Sequence, residues 1–261
     1  MAEYEIDAAP LLDEAAALLK TGQRVVAVTG AGISAESGIP TFRDALTGLW
    51  ARFDAEQLAT PAAFRHDKAL VWGWYEWRRM RVLQCQPNRG HRALARLAEI
   101  VPEFTLITQN VDDLHERAGS SSVVHLHGSL HTPRCTVCSK PHRLPPDIPN
   151  EPEGGRRIGP PACLHCGHDI RPGVVWFGEG LPEQAWQHAE SAVRRCDLLL
   201  TIGTSGLVYP AAGLPVLARR LGKPVIVINP DETEHDRLAT LILRGKAGEV
   251  LPRLLTRFDA P

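Results

Sequence analysis

The chain has 261 residues, 44% hydrophobic and 23% charged, so a sizeable core is available and disorder is excluded as the default. Lys and Arg number 29 against 30 Asp and Glu, which excludes a general electrostatic attraction to nucleic acid or anionic lipid. Residues 1–10 are acidic, unlike a signal peptide, and no apolar run approaches the ~18 residues that span a bilayer. We therefore expect a cytoplasmic protein with no nucleic acid or membrane partner, and take it to be a monomer.

Short β-rich segments recur along the chain and are followed by or end in Gly, Asn or Thr, which is typical of buried parallel strands. These segments are Val25–Thr29, Phe104–Thr108, Val123–Leu126, Val174–Phe177, Leu198–Ile202 and Val225–Ile228. Helical patterns lie between several of them, at Asp7–Leu19, His91–Ile100, Glu183–Arg195 and Ala211–Leu221. This alternation predicts an α/β fold with a Rossmann-like, doubly wound parallel sheet.

Two segments interrupt the alternation. One is a Trp-rich helical segment around Pro61–Gln84, and the other is a Cys-, Pro- and Gly-rich stretch from His131 to Pro172. We interpret them as insertions that form a smaller module. The predicted boundaries are 1–43, 88–130 and 173–261 for the Rossmann-like domain, with 44–87 and 131–172 for the small module.

A glycine-rich loop follows the first predicted strand. Gly30, Gly32 and Ala35 fit the G-x-G-x-x-G/A pattern of dinucleotide sites, in which glycine lets the backbone approach a pyrophosphate. A plain tight turn explains the pattern equally well. Gly38 and Pro40 then stop the helix early, and no second strand ends in a ribose-binding acid as in a dehydrogenase. The loop therefore predicts a cofactor lid or substrate loop.

Four of the six cysteines form two C-x-x-C pairs, Cys135 with Cys138 and Cys163 with Cys166. In a reducing compartment this spacing favours a tetrahedral zinc site over disulfides. Four thiolates close the coordination shell and leave no position for water or substrate. We therefore predict one zinc ion per chain with a structural role.

The residues Gly30–Arg43, reading GAGISAESGIPTFR, resemble the signature of the sirtuin family. Four further blocks follow in the family's order: Thr108–Asp112, Leu126–Gly128, Gly203–Ser205 and Val227–Asn229. With the cysteine pairs, the resemblance extends from Gly30 to about Ala247. It implies a bacterial sirtuin of class III, an NAD-dependent protein-lysine deacylase that transfers the acyl group to ADP-ribose and releases nicotinamide.

The resemblance implies that His127, Asn110 and Asp112 are the catalytic residues. In sirtuins the acyl-lysine amide oxygen attacks the anomeric carbon of the nicotinamide ribose, nicotinamide leaves, and the matching His takes a ribose hydroxyl proton. An imidazole suits this step because its pKa lies near working pH. Asn110 would order water and ribose, and Asp112 would hold the nicotinamide amide. A turn that caps the next helix is the plainer interpretation of this run, and the two are compatible.

The same resemblance implies NAD as co-substrate, with Phe42 and Arg43 near the phosphates and nicotinamide and the later strand ends along the adenosine half. The implied NAD-binding residues are Gly30, Ala31, Gly32, Ile33, Ala35, Glu36, Thr41, Phe42, Arg43, Trp50, Gln109, Asn110, Val111, Asp112, Gly203, Thr204, Ser205, Asn229, Pro230, Asp231 and Ala247. Ala247 lies where some relatives have a Cys-containing sequence, and a backbone contact to adenine would survive this difference.

The implied substrate is an acylated lysine on a protein. Tyr75 and Arg78, three apart on a predicted helix, match the Y-x-x-R pair of sirtuins that remove acidic acyl groups. Ala55 and Ala59 match the small residues that leave room for a longer acyl chain. On spacing alone, an amphipathic helix with a tryptophan core face is the simpler interpretation. The further candidate substrate-binding residues are Val175, Phe177 and Glu179, on a segment resembling the family's peptide-binding strand, and Tyr209.

The leading hypothesis is a desuccinylase and demalonylase with deacetylase activity alongside. Mono-ADP-ribosyl transfer to protein is the alternative enzyme, since it uses the same anomeric carbon. A non-catalytic NAD- or zinc-binding interaction module is the alternative from another class. The set of Asn110, Asp112 and His127 argues against it, because a pure binder needs no base beside the ribose.

Overall fold

A computed structural model describes residues 9–40, 54–145, 147–152 and 154–260. The strands are β1 (Arg24–Thr29), β2 (Glu103–Thr108), β3 (Val123–His125), β4 (Arg134–Cys135), β5 (Ile170–Arg171), β6 (Leu198–Ile202), β7 (Val225–Asn229) and β8 (Leu241–Arg244). Six of them form one sheet in the order β3-β2-β1-β6-β7-β8, and β4 pairs with β5. Every pairing in the large sheet is parallel. The chain proceeds outward from β1 in one direction and from β6 in the other, so the topological switch point lies between β1 and β6, where such sheets bind ligands.

The helices are α1 (Ala9–Thr21), α2 (Gly32–Ala35), α3 (Ala55–Leu58), α4 (Pro61–His66), α5 (Lys68–Gln84), α6 (Arg89–Ile100), α7 (Leu114–Arg117), α8 (Glu183–Arg195), α9 (Gly213–Arg220) and α10 (Ala247–Asp259), with a 3-10 turn at Asp236–Leu238. Local sequence sets several of their starts. The Asp67 carboxylate accepts the Leu70 N–H at the start of α5, and Asn88 begins α6 with a capping box to His91. None of the helices that the structure describes is long and apolar enough to cross a membrane.

Two hydrophobic clusters cover the two faces of the sheet. The alternation within β1 shows this directly, since Val25 and Ala27 pack into one cluster and Val26 and Val28 into the other. The first cluster includes apolar residues of α1, α6 and α10, and the second includes those of α8 and α9. With both faces covered, β1 reads as a continuous apolar run. This confirms the predicted doubly wound α/β fold.

Five of the six predicted strands are present within a residue or so of their predicted limits, and so are the four predicted helices, with ends shifted by two residues at most. The prediction for Val174–Phe177 is wrong, because Val174 makes only an isolated antiparallel bridge with Gly128. The N–H groups of Val175 and Phe177 instead donate to the carbonyls of His127 and Ala59. The segment thus crosses from the sheet edge to the helical insertion.

A third cluster surrounds α5 and joins the helical insertion to the segment after β5. Its members include Ala55, Ala59, Tyr75, Val174 and Trp176. A smaller cluster combines Trp72 of α5 with Cys135, Cys163 and Ile170 of the cysteine-rich segment. The two insertions are therefore packed on one another through α5. The numerical limits of the two domains stay a prediction.

Candidate active site at the carboxyl edge of the sheet

The glycine-rich loop after β1 packs tightly against the loop after β6. A Cβ atom at Gly32 would lie 2.8 Å from the Cα and the carbonyl oxygen of Gly203, and one at Gly30 would lie 2.8 Å from Thr204 Cβ. The Gly32 N–H donates to Gly203 O at 2.8 Å, and Gly203 has a φ of +60°. Loop packing at the switch point therefore requires glycine at these positions, whatever ligand the loop also binds.

Several predicted cofactor residues meet around this switch point. The Gln109 side-chain amide donates to Thr204 Oγ1 at 3.2 Å, which links the loops after β2 and β6. The Glu36 carboxylate accepts the Gly248 N–H at 2.7 Å, next to buried Ala247 at the start of α10. The structure thus brings strand ends from both halves of the sheet to one edge.

At the next strand end, the Asn229 side-chain amide donates to the carbonyl of Asp231 at 2.9 Å, and both Pro230 and Asp231 are exposed. The predictions at Thr41, Phe42, Arg43 and Trp50 fall outside the described residues.

Ser34 is the centre of a buried polar network under the loop. Its hydroxyl donates to Asp112 Oδ2 at 3.0 Å and accepts from the Asn110 side-chain amide at 3.0 Å. His91 contributes a longer contact of 3.4 Å from Nε2. Because the His91 Nδ1 accepts the Asn88 N–H, its Nε2 carries the proton and acts as the donor. Ser34 was not among the predicted site residues, and its place in the glycine-rich loop was the available signal.

Burial controls the charge of Asp112. Its carboxylate is almost fully enclosed, and this desolvation raises the pKa of Asp112 even though hydrogen bonds from the Leu114 N–H and Ser34 oppose the rise. The carboxylate and the Asn110 amide are 7% exposed or less. The pair is thus pre-positioned at the end of β2 before any ligand binds.

His127 lies just after β3, facing the loop that carries Gln109. Its Nδ1 is 2.9 Å from the Gln109 carbonyl oxygen. A carbonyl oxygen only accepts, so Nδ1 carries the proton and the Nε2 lone pair is the basic position. Burial lowers the pKa of His127, and the bond to Gln109 only partly offsets this. The neutral imidazole needed for proton abstraction is therefore the favoured form near neutral pH.

Tyr75 and Arg78 lie together on α5, and Tyr75 belongs to the third hydrophobic cluster. Tyr75 is 4% exposed, and its hydroxyl accepts the Trp176 Nε1–H at 3.1 Å, so its own proton is left to donate. Burial raises the pKa of Tyr75 to about 12, which keeps the phenol neutral. The Arg78 guanidinium carbon lies 5.0 Å from the centroid of the Trp74 ring and 5.7 Å from that of Tyr75.

The predicted small residues lie in the same cluster. Ala55 and Ala59 are 5% and 3% exposed and pack in the cluster that contains Tyr75 and Trp176. Methyl side chains at these two positions occupy little of the space beside the Tyr75 ring. The cluster thus combines small apolar side chains with a neutral hydroxyl donor, and the Arg78 guanidinium lies beside the Tyr75 ring.

The segment from Val174 to Glu179 is held from two sides. The Glu179 carboxylate accepts two bonds from the Arg171 guanidinium, at 2.6 and 2.8 Å, and one from the Trp176 N–H. Glu179 thus anchors the segment, and its contact with substrate stays a prediction. Phe177 and Tyr209 are 41% and 68% exposed, so their rings are accessible to an extended substrate. A cavity of about 340 Å³ opens beside Val175.

The four cysteines of the two pairs converge, as predicted. The sulfur atoms of Cys135, Cys138, Cys163 and Cys166 all lie within 4.8 Å of one another. Backbone N–H groups of Val137 and His165 point at the Cys135 and Cys163 sulfurs at 3.4 Å. Four convergent sulfurs with N–H donors at the loops match a structural zinc site.

Comparison with known proteins agrees with this geometry. The model of the Sir2 family matches residues 30–210. The chain is similar to the NAD-dependent protein deacylase of Methylococcus capsulatus, 60% identical over 243 residues that cover 93% of this chain and 95% of the relative. It is also 60% identical over 244 residues, 92% and 96% of the two chains, to NAD-dependent protein deacylase 1 of Pseudomonas aeruginosa.

Two solved structures are similar over nearly the whole fold. One is a Sir2 homolog in complex with NAD, with a TM-score of 0.85 and 46% identity, covering 97% of this chain and 94% of the other. The second is a Sir2 protein with a p53 peptide and NAD+, with a TM-score of 0.80 and 33% identity, covering 93% and 96%.

Proposed function

The chain belongs to the Sir2 family and is an NAD-dependent protein deacylase, and we propose that it removes succinyl and malonyl groups from protein lysines in preference to acetyl groups. One observation carries the acyl preference. The neutral hydroxyl of Tyr75 belongs to a cluster of apolar side chains that includes Ala55 and Ala59, and the guanidinium carbon of Arg78 lies 5.7 Å from the centroid of the Tyr75 ring.

A carboxylate at the end of an acyl chain loses hydration when it enters such a pocket. The Arg78 fork and the Tyr75 O–H offset that loss with charge-assisted hydrogen bonds. An acetyl group carries no carboxylate, so it gains nothing from either donor. The pocket therefore discriminates by chemistry and not only by size.

NAD is the co-substrate, and its anomeric carbon supplies the electrophile when nicotinamide departs. The residues of this chain proposed to bind it are those that meet at the switch point, with Gly30 and Gly32 allowing close backbone approach and Thr204 and Asn229 at the later strand ends. The Sir2 homolog that resembles this chain is a complex with NAD. The Ala247 backbone is proposed to contact adenine.

His127 is proposed as the general base. Its Nδ1–H is held by the Gln109 carbonyl, which fixes the ring and leaves Nε2 to take a ribose hydroxyl proton. The hydrogen bond to the carbonyl also supports the positive charge that the ring acquires once it is protonated. Asn110 and Asp112 are proposed to orient ribose, water and the nicotinamide amide. Ser34 holds both side chains by hydrogen bonds of 3.0 Å.

The zinc ion is structural, since four thiolates complete its coordination shell. Cys135 and Cys163 also belong to a hydrophobic cluster with Trp72 of α5, so the folded cysteine loops support that helix. We also propose a cytoplasmic location, because a reducing compartment keeps such cysteines available for metal.

The test uses a set of peptides identical except for acetyl, malonyl, succinyl or glutaryl on one lysine. Each is incubated with the enzyme and NAD, and nicotinamide and peptide products are identified by mass. We expect nicotinamide release to depend on acylated peptide and turnover to be faster for the malonyl and succinyl peptides. Faster turnover of the acetyl peptide would refute the acyl preference. ADP-ribose attached to the protein, with no deacylated peptide, would instead support mono-ADP-ribosyl transfer.

A further inference from the structure

A second histidine, His125, lies two residues before the proposed base and contacts the same loop. His125 is the last residue of edge strand β3, where it is in register with Thr108 of β2. Its Nδ1 is 3.2 Å from the Asn110 carbonyl oxygen. The two histidines therefore contact consecutive carbonyls, His127 that of Gln109 and His125 that of Asn110.

The other ring nitrogen of His125 faces a carboxylate. His125 Nε2 is 2.6 Å from Oε1 of Glu116 on α7. A carbonyl oxygen and a carboxylate oxygen both only accept hydrogen bonds. Both ring nitrogens of His125 must therefore donate at once, which requires the doubly protonated imidazolium. His127 differs, because the Gln109 carbonyl holds its Nδ1 and the Nε2 lone pair is left as the proposed base.

The bond from His125 completes the support of Asn110. The Asn110 N–H donates to Thr108 Oγ1 at 3.0 Å, and its side-chain amide donates to Ser34 at 3.0 Å. The carbonyl is the third group, and His125 is its donor. Since Asn110 is 7% exposed, these bonds form in a site with little competing water.

We propose that His125 is a positioning residue for deacylation, in which an imidazolium held by Glu116 fixes the Asn110 carbonyl and thereby the orientation of the Asn110 side chain. His125 touches no reacting atom in this scheme. The claim that His125 affects deacylation rests on the proposed function. The claim that its ring is doubly protonated does not, and can be tested without any catalysis.

The surroundings of His125 favour its charge. The nearby titratable groups come from the loop after β2, Asp112 and Asp113, and from α7, His115 and Glu116. Burial opposes the charged ring, but the bonds to Glu116 and the Asn110 carbonyl outweigh it and raise the pKa of His125 above its ordinary 6.5. Burial likewise works against the Glu116 carboxylate, yet the bond with His125 brings the pKa of Glu116 below its ordinary 4.5.

These directions define a pH window. Because the pKa of His125 is raised in the folded state, its protonation stabilises the fold fully below pH 6.5. This stabilisation is lost as pH rises through the folded-state pKa. The ionised Glu116 carboxylate stabilises the fold fully above pH 4.5, and this stabilisation is lost as pH falls through its lowered pKa. The pair is therefore intact between the lowered pKa of Glu116 and the raised pKa of His125. Because His127 must be neutral and His125 charged, kcat/KM should have an acidic limb from His127 and an alkaline limb from His125.

The direct experiment is a pH titration of the histidine ring nitrogens by NMR in the full-length 15N-labelled protein, with His125→Gln used to assign the signals. We expect the His125 ring to be doubly protonated near neutral pH, with a lower pKa in Glu116→Gln. This variant keeps the histidine and changes a partly exposed side chain, so its fold is preserved. A His125 ring that is neutral near pH ~6.5, the ordinary histidine value, or whose pKa is unchanged in Glu116→Gln, would overturn the proposal.

The catalytic experiment measures kcat/KM against pH for acyl-peptide and NAD. Losing one hydrogen bond to a carbonyl should lower kcat/KM of His125→Gln by about 2- to 12-fold. We expect this variant to lack the alkaline limb and Glu116→Gln to shift it to lower pH, with the acidic limb unmoved in both. His131→Gln is the matched control, since His131 faces Asp113 at 3.6 Å, and it should keep both limbs. An alkaline limb unmoved in Glu116→Gln would contradict the positioning role.

Discussion

Replacing Arg78 by methionine should convert the enzyme from a desuccinylase into a deacetylase. Methionine keeps an apolar, unbranched side chain against the rings of Trp74 and Tyr75 but removes the guanidinium. Burial lowers the pKa of Arg78, with Tyr75 and Asp112 opposing the shift, so the charge is held in a partly desolvated place. An incoming carboxylate is the partner that such a charge favours.

The size of the effect follows from one charge-assisted bond. Hydrogen bonds to charged groups are worth about 1.5–3 kcal/mol, and each ~1.4 kcal/mol is a factor of ten. We therefore expect Arg78→Met to lower kcat/KM for succinyl peptide by about 10- to 150-fold. The cation–π contacts are lost for both substrates alike, so the acetyl peptide is an internal control that should change by only a few-fold.

Tyr75→Phe tests the second hydrogen-bond donor. It also lowers stability, and this effect must be separated from its effect on the acyl preference. It removes the O–H donor and leaves the Trp176 Nε1–H, on a residue that is 3% exposed, without the acceptor seen at 3.1 Å. Leaving a buried donor unpaired costs about 1–3 kcal/mol of stability. Trp176→Phe is the matched control, because it breaks the same bond and keeps the Tyr75 hydroxyl. It should lose stability and keep the preference for succinyl.

The assay is steady-state release of nicotinamide with paired succinyl and acetyl peptides, alongside Tm for each variant. If the contact is equal in ground and transition states, most of the loss appears in KM. Equal losses on the two substrates in both Arg78→Met and Tyr75→Phe would show that the pair is structural. The enzyme would then be a general deacetylase.

Three further predictions concern the base, the zinc site and the fit of the loop on α5. His127→Ala should lower deacylation by about 10²–10⁴-fold with NAD binding retained, measured by turnover and by calorimetric titration, and wild-type turnover would exclude this base. On the acidic side, wild-type activity should fall below the ordinary histidine value of 6.5 and not at it, because burial lowers the pKa of His127 and keeps the ring neutral. Metal analysis should give one zinc per chain, and Cys135→Ala should lower Tm before it alters the acyl preference of the folded fraction; active protein free of zinc would refute this. Gly73→Ala would place a Cβ 2.1 Å from the Arg156 carbonyl oxygen and should cost about 1–3 kcal/mol, whereas Gly213→Ala, with nothing within 4 Å, should leave Tm nearly unchanged.

The fold could be predicted from the sequence where each strand is a continuous apolar run. The five residues from Val25 to Thr29 are all buried, because helices cover both faces of β1. The same rule failed for Val174–Phe177, in which Val174 and Trp176 pack into the cluster around α5. It also missed β8, a four-residue edge strand, and α10, which has Pro252 in its interior. Composition alone does not distinguish burial in a sheet from burial beside a helix.

The candidate site was predictable at the residues that carry a distinctive chemical group. Asn110, Asp112 and His127 all follow strands, so the rule that α/β sheets bind ligands at their carboxyl edge predicts one shared location for them, and the structure has all three at that edge. Ser34 could not be found this way, because a serine hydroxyl has no spacing pattern and its role depends on partners from the loop after β2 and from α6. The anchoring of Glu179 by Arg171 could not be predicted either, since this ion pair is identified only by the folded geometry.

The position of α5 explains why a closed metal site and an acyl pocket belong to one module. On one side of this helix, Tyr75 contacts Trp176 and the small residues of the acyl pocket. Elsewhere along it, Trp72 packs with Cys135 and Cys163, and Gly73 lies against the Arg156 carbonyl from the loop between the cysteine pairs. The Ile158 N–H also donates to the Ala69 carbonyl at 3.0 Å. We therefore expect a zinc ion that holds the cysteine loops in place to fix α5 and, with it, the proposed acyl-binding residues, since any shift of α5 moves Tyr75 and Arg78 together.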